Sequence, residues 1–259
     1  MKNKLSILKI GGNVIEDEQK LETFLNAFKE LEGVKVLVHG GGKKATALSD
    51  QLGVETKMHK GRRITSQENL EIITMVYAGL INKMIVAKLQ ANKCNALGLS
   101  GADGNSITAV KRSVVPIDFG FVGDVKKVND NLINLLLSNA IIPVFCALSH
   151  DNKGQLLNTN ADTIAAEIAI SMSDKYDTEL IYCFDKKGVL NDVNKEDSVI
   201  TKMNSSDFKT LKENGKVHDG MLPKLTNAFY ALENGVKAVC IQHYGSIGFP
   251  EPNGTTITL

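Results

Sequence analysis

The chain has 259 residues, 43% of them hydrophobic, which suits one large α/β domain or two intimately packed lobes. Thirty Lys and Arg against 29 Asp and Glu leave a formal net charge of +1, without the basic patch or stripe of a nucleic-acid binder. No apolar stretch reaches the roughly 20 residues of a membrane span, and no signal peptide is expected.

The first apolar run, Leu5–Ile10, is short, β-branched and leads into Gly11-Gly12, which predicts a buried strand. Lys9 stands near its carboxyl end, where ligands sit in open α/β sheets. The glycines let backbone approach an anion closely, and a following helix would aim free N–H groups at it. A phosphate cradle and a tight turn with a solvated lysine both account for this motif. An amphipathic run predicts a helix over Glu18–Leu31. Lys35–His39 reads as a second strand, followed by Gly40-Gly41-Gly42 and a helix over Lys43–Leu52. Three adjacent glycines at a strand-to-helix junction expose successive N–H groups to an anionic ligand. Neither glycine loop fits GxxxxGK[ST] or a properly spaced GxGxxG, which disfavours a P-loop NTPase and an ordinary dinucleotide-binding oxidoreductase.

Gly61-Arg62-Arg63-Ile64-Thr65 places two guanidinium groups before a long predicted helix, Gln67–Ala91. Arginine can grip a carboxylate through two parallel hydrogen bonds, although single surface charges are more often merely solvated. Asn95–Leu99 reads as a strand. Ile107–Val125 alternates β-branched residues around Pro116, Gly120 and Gly123, so a hairpin or small side sheet is expected. A helix over Asn131–Asn139 and a strand over Ile141–Ala147 follow. Leu157-Asn158-Thr159-Asn160-Ala161-Asp162 opens a helix running through Met172. Asn and Asp there can cap backbone N–H groups; alternatively Asp162 organises a site and Asn158 binds substrate.

Strands over Glu179–Phe184 and Ala238–Gln242, a polar loop over Asn191–Asn204, and helices over Ser205–Glu213 and Lys224–Asn234 complete the pattern. In Asp219-Gly220-Met221-Leu222-Pro223-Lys224, Pro223 suits a first helical turn. Lys224 opposes the helix dipole there unless an anion lies beside it. The alternation of strands and helices predicts an α/β fold with a mostly parallel sheet covered on both faces. Cys94, Cys146, Cys183 and Cys240 form no CxxC pair; the last three lie in apolar runs and read as small core hydrophobes, consistent with a reducing cytoplasm.

Taken in order, eight segments strongly resemble the N-acetylglutamate kinases of the amino-acid kinase family. They are Lys9-Ile10-Gly11-Gly12, His39-Gly40-Gly41-Gly42, Gly61-Arg62-Arg63-Ile64-Thr65, Gly98-Leu99-Ser100-Gly101-Ala102-Asp103-Gly104, Gly120-Phe121-Val122-Gly123-Asp124-Val125, Asn158-Thr159-Asn160-Ala161-Asp162, Asp185 with Gly188-Val189-Leu190, and Asp219 to Lys224. The resemblance spans essentially the whole chain. It implies a three-layer αβα sandwich, with an acylglutamate-binding lobe over 1–172 and an ATP-binding lobe over 173–259. It implies ATP-dependent phosphorylation of the γ-carboxylate of N-acetyl-L-glutamate in arginine biosynthesis, with Mg²⁺ bound through ATP.

The resemblance also implies roles. Lys9 and Lys224 would stabilise the transferring phosphoryl group, and Asp162 would hold both lysines. Gly11, Gly41 and Gly42 would offer N–H groups to the phosphates and the γ-carboxylate. Arg63 and Asn158 would bind the α-carboxylate end. Gly11, Gly12, Asp185, Gly188, Leu190 and Gly220 would hold the nucleotide. A glutamate side chain has a reference pKa of about 4.3, so the nucleophile is ionised at neutral pH and needs no general base. The obstacle is repulsion between anions, which lysines and Mg²⁺ address.

Four positions depart from the family pattern: Arg62 stands for an apolar residue, Ala102 for a lysine, and Lys186-Lys187 for an apolar-proline pair. Arg62 and Ala102 keep N-succinylglutamate open as the substrate. An aminoadipate-derivative kinase and a non-catalytic sensor are also compatible with the pattern. Only four residues precede the first strand, whereas arginine-inhibited members carry an extra amino-terminal helix. A cytoplasmic homodimer without arginine inhibition, paired through the long helix, is therefore expected.

Overall fold

The computed structural model describes residues 2–192, 194–213, 221–248 and 254–259. In chain order, β1 (Lys4–Ile10) leads into a short helix α1 (Gly12–Glu16) and a longer α2 (Glu18–Glu30). Then come β2 (Val34–His39), α3 (Gly42–Gln51), and a hairpin of β3 (Lys57–His59) and β4 (Arg62–Ile64). One 25-residue helical run holds α4 (Gln67–Thr74), a π-helical segment (Met75–Ile81) and α5 (Asn82–Ala91). The middle of the chain supplies β5 (Ala96–Leu99), β6 (Ile107–Lys111), β7 (Gly123–Val128), α6 (Asp130–Ser138), β8 (Ile142–Cys146), β9 (Leu148–His150), β10 (Leu156–Asn158) and α7 (Ala161–Met172). The remainder forms β11 (Asp177–Phe184), β12 (Lys202–Met203), α8 (Ser205–Glu213), α9 (Leu222–Glu233), β13 (Ala238–His243) and β14 (Gly254–Ile257).

Two compact units emerge: residues 1–35 with 165–259, and residues 36–164. In the first, the strand order is β12-β14-β13-β11-β1. β1, β11 and β13 run parallel, and β14 returns antiparallel to β13. Leu5, Ile7, Leu8 and Ile10 are fully buried, the near-continuous apolar pattern of a parallel strand covered on both faces. Helix α2 buries Leu21, Phe24, Leu25 and Phe28, an i, i+3, i+4, i+7 stripe. Asp17 caps its start by accepting from Lys20 N at 3.1 Å. Buried Lys35 closes its end, donating through Nζ to the carbonyls of Phe28, Lys29 and Leu31 at 2.7, 3.0 and 2.8 Å.

In the second unit, β2, β8 and β5 pair in parallel in that order. A side sheet runs β10-β9-β6-β7, with β6 and β7 antiparallel. The expected hairpin over Ile107–Val125 is therefore present, and β9 and β10 extend it. Each unit carries a run of parallel strands flanked by helices, the α/β class expected from the alternating pattern.

Beyond the short elements α1, β12 (inside the loop expected over Asn191–Asn204) and β14, which the sequence pattern did not show, two features differ from the expectation. The helix over Gln67–Ala91 is interrupted by its π segment. This run is long and apolar enough to cross a membrane; within the unit, however, Leu70, Ile72, Ile73, Val76, Ile81, Ile85 and Leu89 are buried. The β3–β4 hairpin is the second, a pair of strands where the sequence shows no strand pattern. It turns on Lys60 and Gly61, both at positive φ (47° and 72°), which is the geometry of a two-residue type I′ turn.

Candidate functional site

In the unit of residues 36–164, the glycine loop after β2 is held from three directions. His39 is fully buried, and its Nε2 accepts from Asn82 Nδ2 at 3.0 Å. Its proton is thereby assigned to Nδ1, which donates to the Gly40 carbonyl at 2.8 Å. Burial holds the His39 pKa down at about 4, so the ring is neutral. Asn82 is itself tied to the Val144 carbonyl at 2.9 Å. Gly41 precedes α3, and a Cβ there would lie 2.5 Å from Ile81 Cδ1 and 2.9 Å from Tyr77 Cδ1. Any side chain there would force Ile81 and the Tyr77 ring to move.

Arg63 is the third support. Its side chain comes from β4 and is 9% exposed. Nη2 donates to the Gly42 carbonyl at 2.9 Å and to Thr46 Oγ1 at 2.7 Å. Nη1 donates to Thr56 Oγ1 at 3.1 Å and Asn69 Oδ1 at 3.4 Å. All four acceptors are neutral, and no carboxylate pairs with Arg63 among the described residues. A buried cation without a counter-charge favours an incoming anion. Asn158, at the end of β10, donates through Nδ2 to Thr65 Oγ1 at 3.0 Å. Thr65 also pairs through its backbone with Phe119 and Phe121. Arg63 and Asn158 are thus joined through Thr65, two residues along from the arginine. Arg62 is exposed where Arg63 is buried, the alternation of a strand, so its side chain lies on the other face.

Asp162 is buried in the first turn of α7. The cap of that helix is Asn160, whose Oδ1 accepts from the backbone N–H groups of Asp162 and Thr163 at 2.8 and 3.1 Å. The capping function therefore belongs to Asn160, which leaves the Asp162 carboxylate for another purpose.

In the other unit, polar groups gather at the carboxyl ends of the parallel strands. Lys9, the penultimate residue of β1, is 6% exposed and pairs in register with Tyr182 of β11. Burial drives the neighbouring Cys183 thiol upward, and the Lys9 charge opposes that rise. A Cβ at Gly11 would meet nothing within 4 Å, so packing does not require glycine there. Asn13 donates through Nδ2 to Asp185 Oδ2 at 3.1 Å, linking the first glycine loop to the segment after β11. His243, at the end of β13, has its pKa lowered by burial, with Asp185 pulling the other way. Gly188 is explained by packing: a Cβ would sit 2.7 Å from Thr255 Oγ1. Leu190 forms a bridge with Val199. Lys186 and Lys187 form exposed ion pairs with Glu196 and Asp197 at 3.4 and 2.8 Å. Lys224 lies in the first turn of α9, after Pro223. Gly12 begins α1. Gly220 lies outside the described residues, as does Asp219.

Sequence reasoning missed Asn13, His243 and Asn82. An isolated Asn or His in an apolar or glycine-rich run carries no spacing signal; only the partners identify it. Among the described residues no cluster of His, Cys, Asp and Glu forms a protein metal site.

The family model described as the amino acid kinase family matches residues 4–243. An acetylglutamate kinase of Phocaeicola vulgatus is 51% identical over 257 residues, covering 99% of each chain. Another, from Methanopyrus kandleri, is 36% identical and covers 98% of this chain and 100% of its own. Among solved structures, a Streptococcus mutans protein has a TM-score of 0.80 at 26% identity, covering 98% of both chains. Giardia lamblia carbamate kinase bound to AMP-PNP has a TM-score of 0.67 at 17% identity, covering 94% of this chain and 93% of its own, which is a likeness of fold.

Proposed function

The chain belongs to the amino acid kinase family, and from that premise we propose that it is an acetylglutamate kinase. It transfers the γ-phosphoryl group of ATP to the γ-carboxylate of N-acetyl-L-glutamate, giving an acyl phosphate in arginine biosynthesis. The observation that carries this reading is Arg63, a buried guanidinium fixed to the glycine loop and surrounded by neutral acceptors. A substrate with an α-carboxylate supplies the missing charge.

In this mechanism Arg63 and Asn158 hold the α-carboxylate end, and the N–H groups of Gly41 and Gly42 orient the γ-carboxylate. Gly11 and Gly12 let backbone come close to the nucleotide phosphates; the open space at Gly11 fits that use. Asp185, Gly188, Leu190 and Gly220 belong to the nucleotide side, with Asn13 fixing the Asp185 carboxylate. Lys9 and Lys224 stabilise negative charge as the phosphoryl group moves, and Asp162 keeps the two lysines charged and oriented. Mg²⁺, carried on the nucleotide, would supply further charge neutralisation. Residues 1–172 are assigned to acylglutamate and 173–259 to ATP, with Gly11 and Gly12 of the first part also serving the phosphates.

The protein is further assigned to the cytoplasm as a homodimer. Met75 and Leu80, 55% and 51% exposed on the long helix, give that face an apolar surface for a second copy. An ADP-release assay with N-acetylglutamate, N-succinylglutamate, free glutamate and N-acetylaminoadipate tests the function. Highest kcat/KM with N-acetylglutamate is expected; turnover of none of the four would overturn the reading.

A further inference from the structure

The side chain of Tyr77 lies against the same glycine loop that Arg63 holds. It is 5% exposed and projects from the π-helical segment onto the glycine loop. Its ring lies against Gly41, and a Cβ at Gly42 would sit 3.7 Å from its hydroxyl oxygen. The carbonyl of that same Gly42 accepts from Arg63 Nη2. The phenol and the guanidinium therefore flank one residue. Burial pushes the Tyr77 phenol above its usual pKa, and the Arg63 charge pulls it back, so the hydroxyl keeps its proton.

The Tyr77 hydroxyl bonds no protein group among the described residues, and it is not one of the buried polar atoms lacking a partner, so solvent reaches it. It is a protonated donor open to a ligand, beside a cation without a counter-charge. A carboxylate is the one ligand group that suits both. Helical π segments occur frequently at functional sites, and here the widened turn delivers Tyr77 and Ile81 together to Gly41.

We propose that Tyr77 is a substrate-binding residue whose hydroxyl donates a hydrogen bond to the carboxylate that Arg63 receives. The inference rests on the acylglutamate reading above and adds a third group to the grip of Arg63 and Asn158. It accounts for a hydroxyl being kept on a ring that packs against Gly41 beside Ile81, where phenylalanine would fill the same space.

The test is Tyr77→Phe, which keeps the ring on Gly41 and removes only the hydroxyl. Titration calorimetry without turnover gives Kd for N-acetylglutamate and, separately, for ADP; thermal unfolding gives Tm. A hydrogen bond to a charged group supports an expected rise of about tenfold or more in Kd for N-acetylglutamate. Kd for ADP should stay unchanged, and Tm should stay close to that of the wild type, because the hydroxyl bonds no protein group among the described residues. Unchanged N-acetylglutamate affinity would overturn the proposal. So would a lower Tm with equal losses for both ligands, which would make Tyr77 a structural prop. A wild-type protein that binds ADP but no acylglutamate would instead overturn the kinase reading, and this inference with it.

Discussion

Arg63 Nη2 donates to the carbonyl oxygen of Gly42 at 2.9 Å, so the strand that carries the cation and the loop that carries the N–H donors are one assembly. On the proposed reading, recognition at one end of a glutamate would thereby be coupled to orientation at the other. A carboxylate held at Arg63 has a fixed relation to the loop, whose geometry does not depend on substrate arriving.

Removing that tie should be felt in binding. Arg63→Ala should raise KM for N-acetylglutamate by on the order of 30-fold or more, the scale of losing one partner of a buried charge pair. KM for ATP should change little. Arg63→Lys should recover only part of the loss, since an ammonium lacks the planar fork. Arg62→Leu should leave the preference between acetyl and succinyl substrates unchanged, because Arg62 lies on the exposed face of β4. Steady-state kinetics on the three variants decide the matter; a switched acyl preference in Arg62→Leu would count against this orientation.

Gly11 and Gly41 should behave oppositely when replaced by alanine. Gly11 has φ −94° and open space around its Cβ position, so Gly11→Ala should fold normally and gain up to about 1 kcal/mol from the unfolded state. Its kcat/KM for ATP should nevertheless fall at least tenfold, because the methyl group would intrude on the phosphates. Gly41→Ala forces a contact with Ile81 and Tyr77 and should cost about 1–3 kcal/mol of stability. Urea denaturation of both variants beside their kinetics separates the two causes. A Gly11→Ala enzyme of full activity would remove that loop from the nucleotide site.

Lys9→Ala and Lys224→Ala should each lower kcat by about 100-fold or more, near 3 kcal/mol of barrier, while substrate affinities move far less. Rapid-quench measurement of the chemical step is the direct check. Near-normal kcat in either variant would take that lysine out of phosphoryl transfer.

His39 sets a pH dependence of stability. Its pKa is about 4 when folded and about 6.5 when unfolded. Between those values the unfolded chain takes up a proton that the folded state refuses, so stability falls as pH falls. The contribution is complete above about pH 6.5 and is lost by about pH 4, with a limit of about 3 kcal/mol. Urea midpoints measured from pH 7.5 to 4 should show this slope, and His39→Gln should flatten it. Identical slopes in both proteins would mean that the ring is not buried neutral.

The parallel strands were legible because each is a compact apolar run, and Leu5–Ile10 lies within one residue of its observed bounds. The amphipathic stripe of α2 was equally plain. The β3–β4 hairpin was not, since Lys57 to Ile64 is dominated by basic residues and its turn uses Lys-Gly where Asn-Gly or Asp-Gly is the usual signal. In the site, Arg63 and Gly42 announced themselves by residue type, but nothing in their 21-residue separation foretold their bond. The roles of Asn160 and Asp162 could not be separated in sequence either, because both are helix-start residues two positions apart. The π segment left no trace at all: Met75–Ile81 has the same apolar texture as the α-helix around it.

That segment acts as a phase adjuster for everything after it. Successive residues of an α-helix are rotated by about 100°. Residues 82–91 therefore face where they do only because of the wider winding over 75–81. Asn82, the residue that holds His39 and through it the Gly40 carbonyl, is the first position after the adjustment. Sequence length within this stretch is consequently constrained as tightly as residue identity. Dropping one residue would rewind the turn, swing Asn82 off the imidazole, and untether the glycine loop from residues that lie beyond the segment itself.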